Sequence, residues 1–396
     1  MWGIWLQILL RGVWIHRGDG SPAAQADVLL QGDTIAAIAP TINAKPEYKV
    51  LQETQGKHLY PALIAIGTPT GLIEIEAVRA TRDNAEVGDF TPEAQAYTAF
   101  NIDSRVLPTL RANGILYVES TPQGGIIAGR SAVMRLTGRT REEAVILPDA
   151  VLHVYPPSLH PSVYASPEEQ KKSREKAQES WKQLEAYLEN AQRWCKGDSS
   201  QLNLGFAALC PFIRREKPVA FHAEMAEDIE AAIRLSTKYG FRLAIIGGAE
   251  ALQVAPLLQA HQVPVILRRT HRLPPNEDAP IDYFYTLPKA LLDRGLTVIL
   301  CHDSFWNQRN LSYQAGTAVA YGVSPEKALA MITSLPAQWL GLSKVGLIAV
   351  GYKASLILCE GDVLDIPRSR ILRAWIEGQE VDLSDNPQEA LYQKYR

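Results

Sequence analysis

Two side chains in this sequence stand at the C-terminal ends of strand-like runs, where chemistry is done in an α/β protein. His222 closes the run Pro218-Val219-Ala220-Phe221 and can offer a neutral imidazole nitrogen to a metal. A core histidine satisfied by a backbone carbonyl is the other reading, and both are open. Asp303 follows Val298-Ile299-Leu300-Cys301-His302, and a carboxylate at such a place can serve as a general base. Strand alternation is expected to turn the neighbouring His302 to the opposite side. The run Arg268-Arg269-Thr270-His271-Arg272 concentrates positive charge after another strand-like run. Arg130, Arg268, Arg269 and His271 are therefore expected ligand contacts, for a small molecule bearing a carboxylate, because arginine grips that group bidentately. The glycine-rich Gln123–Ser131 stretch can present N–H groups to an anion but lacks the Lys-Ser/Thr of a phosphate-binding loop. A tight turn and a solvated loop are the alternative readings of these last two segments.

The elements that must position these groups read as follows. Between Leu63 and Leu300, short apolar runs alternate with helix-compatible segments, which argues a parallel sheet. The runs are Leu63–Ile66, Ile115–Val118, Val151–Val154, Pro218–Phe221, Arg242–Ile246, Val263–Leu267 and Leu296–Leu300, with an eighth expected near Leu202–Ala208. A (β/α)8 TIM-like barrel is the simplest container for eight such units. From Ile4 to about Leu59, and again from Gly346 to Ile376, short β runs are broken by Gly and Asp turns, the texture of a small β-sandwich. Residues 1–60 and 345–396 are thus expected to form one composite domain and residues 61–344 the barrel. Ser166-Pro167-Glu168-Glu169 carries a helix-start signature, and Ala177, Trp181, Leu184, Leu188 and Ala191 recur at helical spacing until Gly197. A long charged helix is expected near 166–196.

Composition narrows the classes of function. The 396 residues are 46% hydrophobic and 21% charged, with a formal net charge of −3 and no block of like charges. Nucleic-acid and membrane-surface binding have no support from that balance. Met1–Leu10 is apolar but too short to cross a bilayer, has no basic leader region, and reads as an edge strand. Four dispersed cysteines fit free thiols and a cytoplasmic setting best, while their spacing leaves a disulfide open.

The segment Pro61-Ala62-Leu63-Ile64-Ala65-Ile66-Gly67-Thr68-Pro69-Thr70-Gly71 resembles the first barrel strand of the amidohydrolase superfamily, imidazolonepropionase-like branch. That family's pattern is Pro-Gly-x-Ile-Asp-x-His-x-His-x-Gly. Pro61, Leu63, Ile64 and Gly71 keep the frame, while the Asp falls on Ala65 and the two metal-binding histidines fall on Gly67 and Pro69. His222 and Asp303 fall on the fifth-strand His and eighth-strand Asp, and Gly247 stands where a sixth-strand His-Gly is usual. Downstream, Gly322–Leu329 and Pro336–Gly341 match most specifically.

The resemblance implies a hydrolase of non-peptide C–N bonds, with Asp303 as base and His222 and Asp303 as metal ligands. Two ligands hold zinc or iron weakly, because a catalytic site normally takes three. Glu74, Glu76, Glu119, His153 and His271 are candidates for the third, and spacing selects none of them. Either no cofactor or a weakly held divalent zinc or iron is expected. Impaired hydrolysis and a non-catalytic ligand-binding or partner subunit are the two readings. The latter works as a homo-oligomer or beside an active relative.

Overall fold

The computed structural model describes residues 7–162, 164–197 and 201–396. Residues 1–6 of the expected N-terminal edge strand lie outside them. Five strands come first: β1 (Gln7–Ile15), β2 (Ala24–Gln31), β3 (Thr34–Ala39), β4 (Tyr48–Leu51) and β5 (His58–Pro61). The middle of the chain supplies β6 (Leu63–Thr68), β7 (Ile115–Ser120), β8 (Ile127–Arg130), β9 (Ala132–Arg135), β10 (Val145–Leu147) and β11 (Leu152–Val154). It continues with β12 (Pro218–Ala223), β13 (Arg242–Gly247), β14 (Val265–Leu267) and β15 (Val298–Leu300). The last strands are β16 (Leu356–Glu360), β17 (Arg370–Ile376) and β18 (Gln379–Glu380).

Three sheets result. The first runs β18-β17-β16-β5-β1-β2-β3, with β4 beside β1, so strands from both ends of the chain share one ladder. β1 is central there, not an edge: it pairs with β2, β4 and β5. Its register shifts between Leu10 and Val13, a bulge at the Arg11-Gly12 step. The second sheet is β10-β9-β7-β6 and the third β15-β14-β13-β12-β11-β8. β6 and β7 run parallel, as do β11 through β15. Such strands are covered on both faces and so read as continuous apolar runs; Leu63–Thr68 and Ile115–Ser120 are buried throughout. The second and third sheets share the chain at Ser131, between β8 and β9. On the other side, Leu300 N donates to Met331 O (3.1 Å) and Ile64 N to Ile332 O (2.9 Å).

The long helix spans Pro167–Cys195. Ser166 Oγ accepts from Glu169 N while Glu169 accepts from Ser166 N, satisfying two otherwise orphan donors. Its narrow apolar stripe buries Ala177, Leu184, Leu188 and Ala191 against the parallel sheet's helices. The eighth strand expected near Leu202–Ala208 is instead the helix Leu204–Ile213. Asn203 accepts from Phe206 N and caps it, and the Gly-Phe-Ala-Ala-Leu stretch then continues as helix. Cys195 and Cys210 are joined by a disulfide that ties this helix to the long one, so only Cys301 and Cys359 are free. The expectation of four free thiols is corrected accordingly, and with it the argument from cysteines for a reducing compartment. Among the described residues no helix is long and apolar enough to cross a membrane.

Leu184 is fully buried in the stripe, so Leu184→Ala is expected to cost about 2–5 kcal/mol. Lys182→Ala, on the solvated face, is expected to change stability by less than about 0.5 kcal/mol. Urea unfolding midpoints of the two variants measure the difference.

Candidate functional site

Four elements deliver a single chain of buried polar groups. Glu119 sits one residue from the end of β7 and is buried. Its Oε2 accepts from Gly67 N (3.0 Å) on β6. Its Oε1 accepts from Ser131 Oγ (2.7 Å), at the junction of β8 and β9, and pairs with His153 Nε2 (2.9 Å) on β11. His153 Nδ1 lies 3.0 Å from His222 Nε2 on β12, and His222 Nδ1 lies 3.0 Å from Arg268 Nη2, just past β14. Arg268 and Arg272 both reach Glu224 (3.2–3.3 Å), and the Arg272 guanidinium lies 3.6 Å from the centre of the Phe284 ring.

The direction of every proton in this chain follows from one fact: a guanidinium has only donors. Arg268 donates to His222 Nδ1, so that nitrogen is bare and the ring carries its hydrogen on Nε2. His222 Nε2–H then donates to His153 Nδ1, which leaves His153 to donate from Nε2 to Glu119. The tautomers are assigned from this network. Burial depresses the His222 pKa well below its ordinary value, and the neighbouring His153 and Arg268 push the same way. A neutral His222 is what the hydrogen-bond polarity requires. Burial alone would raise the Glu119 pKa, but His153, the Ser131 hydroxyl and the Gly67 N–H together outweigh it and hold the carboxyl below its usual range. With both imidazoles neutral, two carboxylates and two guanidinium groups leave the cluster with no net formal charge.

Tyr155 closes one side of the site. Its ring stacks on His222 at 3.7 Å between centres and its hydroxyl donates to Pro122 O. Gly67 closes another. It holds φ +63°, and a Cβ there would meet Ile246 Cδ1 at 3.6 Å and Cys301 Sγ at 3.8 Å. Burial pushes the Cys301 thiol up to about 12, so it is a neutral wall. The end of β6 is fastened without a cation: Thr68 and Thr70 hydroxyls bond each other (2.8 Å), and Thr70 Oγ1 donates to Phe305 O (3.1 Å).

A metal does not fit these donors. The His222 Nδ1 lone pair is taken by a cation at 3.0 Å, its Nε2 carries a hydrogen, and His153 Nδ1 accepts that hydrogen. Both Glu119 oxygens already accept. Among the described residues no group of three or more His, Cys, Asp or Glu side chains is arranged to hold a metal ion.

The residues singled out from the sequence are distributed unevenly. His222 and Arg268 meet, and Glu119 and His153 join them. Asp303 makes no hydrogen bond to this chain of groups; its side chain is 40% exposed, 4.0 Å from Arg269 Nε and 3.5 Å from His302 Nδ1. His302 does not turn away from it, because β15 ends at Leu300 and strand alternation no longer applies. Arg130 is fully committed, to Pro92 O, Glu93 O and Asp149. His271 bonds Thr317 Oγ1 (2.6 Å). In the glycine-rich stretch Gln123 N donates to Asn84 O, and Ile126 N and Ile127 N both donate to Asp89 O, so these N–H groups serve packing. Glu224 was missed altogether; its place two residues beyond His222, at the end of β12, was the available signal.

Comparison with known proteins follows the geometry. The sequence profile described as Amidohydrolase family matches residues 121–383, well over half of the chain. An amidohydrolase, tasK, of Hapsidospora irregularis is 29% identical over 189 residues, covering 44% of this chain and 18% of that protein. An adenine deaminase of Deinococcus radiodurans is 38% identical over 64 residues, 16% of this chain and 11% of that protein. The chain thus spans less than a fifth of the length of either relative in these matches. Among solved structures, an amidohydrolase from Thermotoga maritima superposes with a TM-score of 0.81 at 22% identity, covering 95% of this chain and 99% of its own. A molinate hydrolase superposes at 0.60 with 14% identity, covering 97% and 96%. These two likenesses concern the fold.

The depressed pKa of His222 has a stability consequence. A folded state that keeps the ring neutral binds fewer protons than the unfolded chain below about pH 6.5, so this contribution is present above that pH and is lost as the pH falls toward the folded pKa. In His222→Gln the amide still accepts from Arg268 and donates to His153 but does not titrate. Its urea midpoint is expected to fall less steeply than wild type between about pH 6.5 and 5, the difference being at most about 1.4 kcal/mol per pH unit.

Proposed function

The chain belongs to the amidohydrolase family, and from that premise we propose that it no longer runs the metal-dependent hydrolysis of C–N bonds and instead binds a small carboxylate-bearing ligand, as a partner or regulatory subunit. One observation carries this reading: the Arg268 guanidinium hydrogen-bonded to His222 Nδ1 at 3.0 Å. A permanent organic cation stands against the nitrogen that a divalent ion would need. A guanidinium has no coordination position to lend a water, so it cannot lower the pKa of that water as a metal does. It can bind a carboxylate, and Arg268 and Arg272 already hold one, Glu224. An incoming carboxylate competes with Glu224 for the same two forks.

We read the second and third sheets as one (β/α)8 barrel over 61–344, of the imidazolonepropionase-like branch, joined at Ser131 and across the Met331 and Ile332 carbonyls. Residues 1–60 and 345–396 then make the composite β-sandwich. A second reading keeps C–N bond hydrolysis with Asp303 as base. It is favoured by the exposure of that carboxylate beside Arg269 and His302, just beyond β15.

Metal analysis of protein purified without chelator separates the two. Zinc, iron and manganese are expected well below one equivalent, with no turnover of lactam or imidazolone substrates on adding them. Near one equivalent, lost in His222→Ala or Asp303→Asn, would overturn the reading.

A further inference from the structure

A cavity lies beneath the N-terminal ends of the third sheet's strands, away from the strand ends that carry His222 and Arg268. It holds about 670 Å3, within the range of ligand sites. Arg242 opens β13, Pro264 precedes β14 and Thr297 precedes β15, and all three line it. The cavity contains no Asp or Glu among its lining residues but two arginines, Arg215 and Arg242. Among the described residues neither arginine has an ion-pair partner. Arg242 Nη2 donates to Trp339 O (3.0 Å) and its guanidinium lies 5.6 Å over the Trp339 ring. Arg215 makes no side-chain hydrogen bond within the described residues. Each guanidinium carries five N–H donors, and the one side-chain hydrogen bond either makes among the described residues is Arg242 to Trp339 O.

The two arginines are not there as helix caps. The helix Ala226–Tyr239 ends on Gly240, and Gly240 N and Phe241 N already donate to Ser236 O (2.7 and 3.0 Å). After the helix Leu204–Ile213, Arg214 N donates to Cys210 O and Glu216 N to Pro211 O. The partial negative charge of each helix end, about half a unit, is smaller than the full charge of each guanidinium. Gly240 is itself part of the construction: it sits at φ +76°, and a Cβ would come within 2.7 Å of Arg215 Nε. The bare backbone lets the Nε–Nη2 edge of the guanidinium approach it closely. Phe241 and Trp339 supply aromatic surface beside the two charges, and Gln262 and Gln338 supply amides at the edge.

We propose that this cavity is a ligand site, separate from the His222–Arg268 cluster, for a small aromatic anion: a planar ring against Phe241 with its carboxylate or phosphate held between Arg215 and Arg242. Unpaired planar cations favour an anion with two coplanar or tetrahedral oxygens, and the aromatic wall favours a ring over a bare ion.

Isothermal titration of the full chain with indole-3-carboxylate and with adenosine monophosphate tests it, against inorganic phosphate and uncharged benzamide. At least one ring-bearing anion is expected to bind at least tenfold more tightly than either control, and which one does so identifies the anionic group. Arg215→Ala and Arg242→Gln are each expected to weaken that binding at least tenfold. Arg242→Lys, which keeps the charge without the fork, is expected to fall between. Arg268→Ala, in the cluster with His222 and Glu224, is expected to leave it unchanged, which separates this site from the one proposed above. Arg215 is exposed, so its variant carries the test should changes at Arg242 disturb folding; thermal melts report that. The proposal is overturned if neither ring-bearing anion outbinds phosphate, or if the affinity survives Arg215→Ala in folded protein.

Discussion

A guanidinium can only give hydrogen bonds, and this site is ordered by that restriction. Once Arg268 donates to His222 Nδ1, both histidine tautomers are determined, and Glu119 is left as the terminal acceptor, buried and ionised. A buried carboxylate without partners is strongly disfavoured. Here it receives three hydrogen bonds, from a backbone amide, a hydroxyl and an imidazole, each on a different segment. At the outer end, Glu224 plays the matching part for Arg268 and Arg272. The network is therefore closed at both ends by carboxylates, and between them stand two neutral rings and a guanidinium. Such an arrangement is rigid because no member can rotate without stranding a neighbour.

The same logic explains the small residues around it. Where a coordinating side chain would need space, Gly67 instead offers its N–H to Glu119, and Ile246 and Cys301 fill the volume beside it. Thr68 and Thr70 tie the end of β6 to the loop after β15 through hydroxyls, a link between the first and last parallel strands that neutral groups maintain. The tasks a bound ion would perform, joining strand ends and balancing buried carboxylates, are distributed here among side chains of the protein itself.

Much of the frame was legible in the chain because it is written in local patterns. The parallel strands announced themselves as short apolar runs, and the capped long helix as a Ser-Pro-Glu-Glu start followed by a helical stripe. The loss of metal-binding side chains at Gly67 and Pro69 was equally plain. The partners of His222 were not. Glu119, His153, His222 and Arg268 are linked by contacts 34, 69 and 46 residues apart in sequence, and no spacing rule connects residues that different strands bring to one end of a sheet. The helix Leu204–Ile213 read as a strand because its apolar residues are too dense to show a period, and the Cys195–Cys210 bridge needed the two helices to meet. His302 was turned away from Asp303 by strand alternation carried past the point where the strand stops.

The first sheet unites residues made early and late: His58 faces Cys359 and Pro61 faces Leu356 across the β5–β16 ladder. During synthesis the opening strands emerge long before their closing partner, and the whole parallel region leaves the ribosome in between. That early edge waits unpaired through most of translation, a period in which it is open to pairing with other nascent chains. The β5–β16 ladder thus acts as a clasp that cannot shut before residues 356–360 have been made.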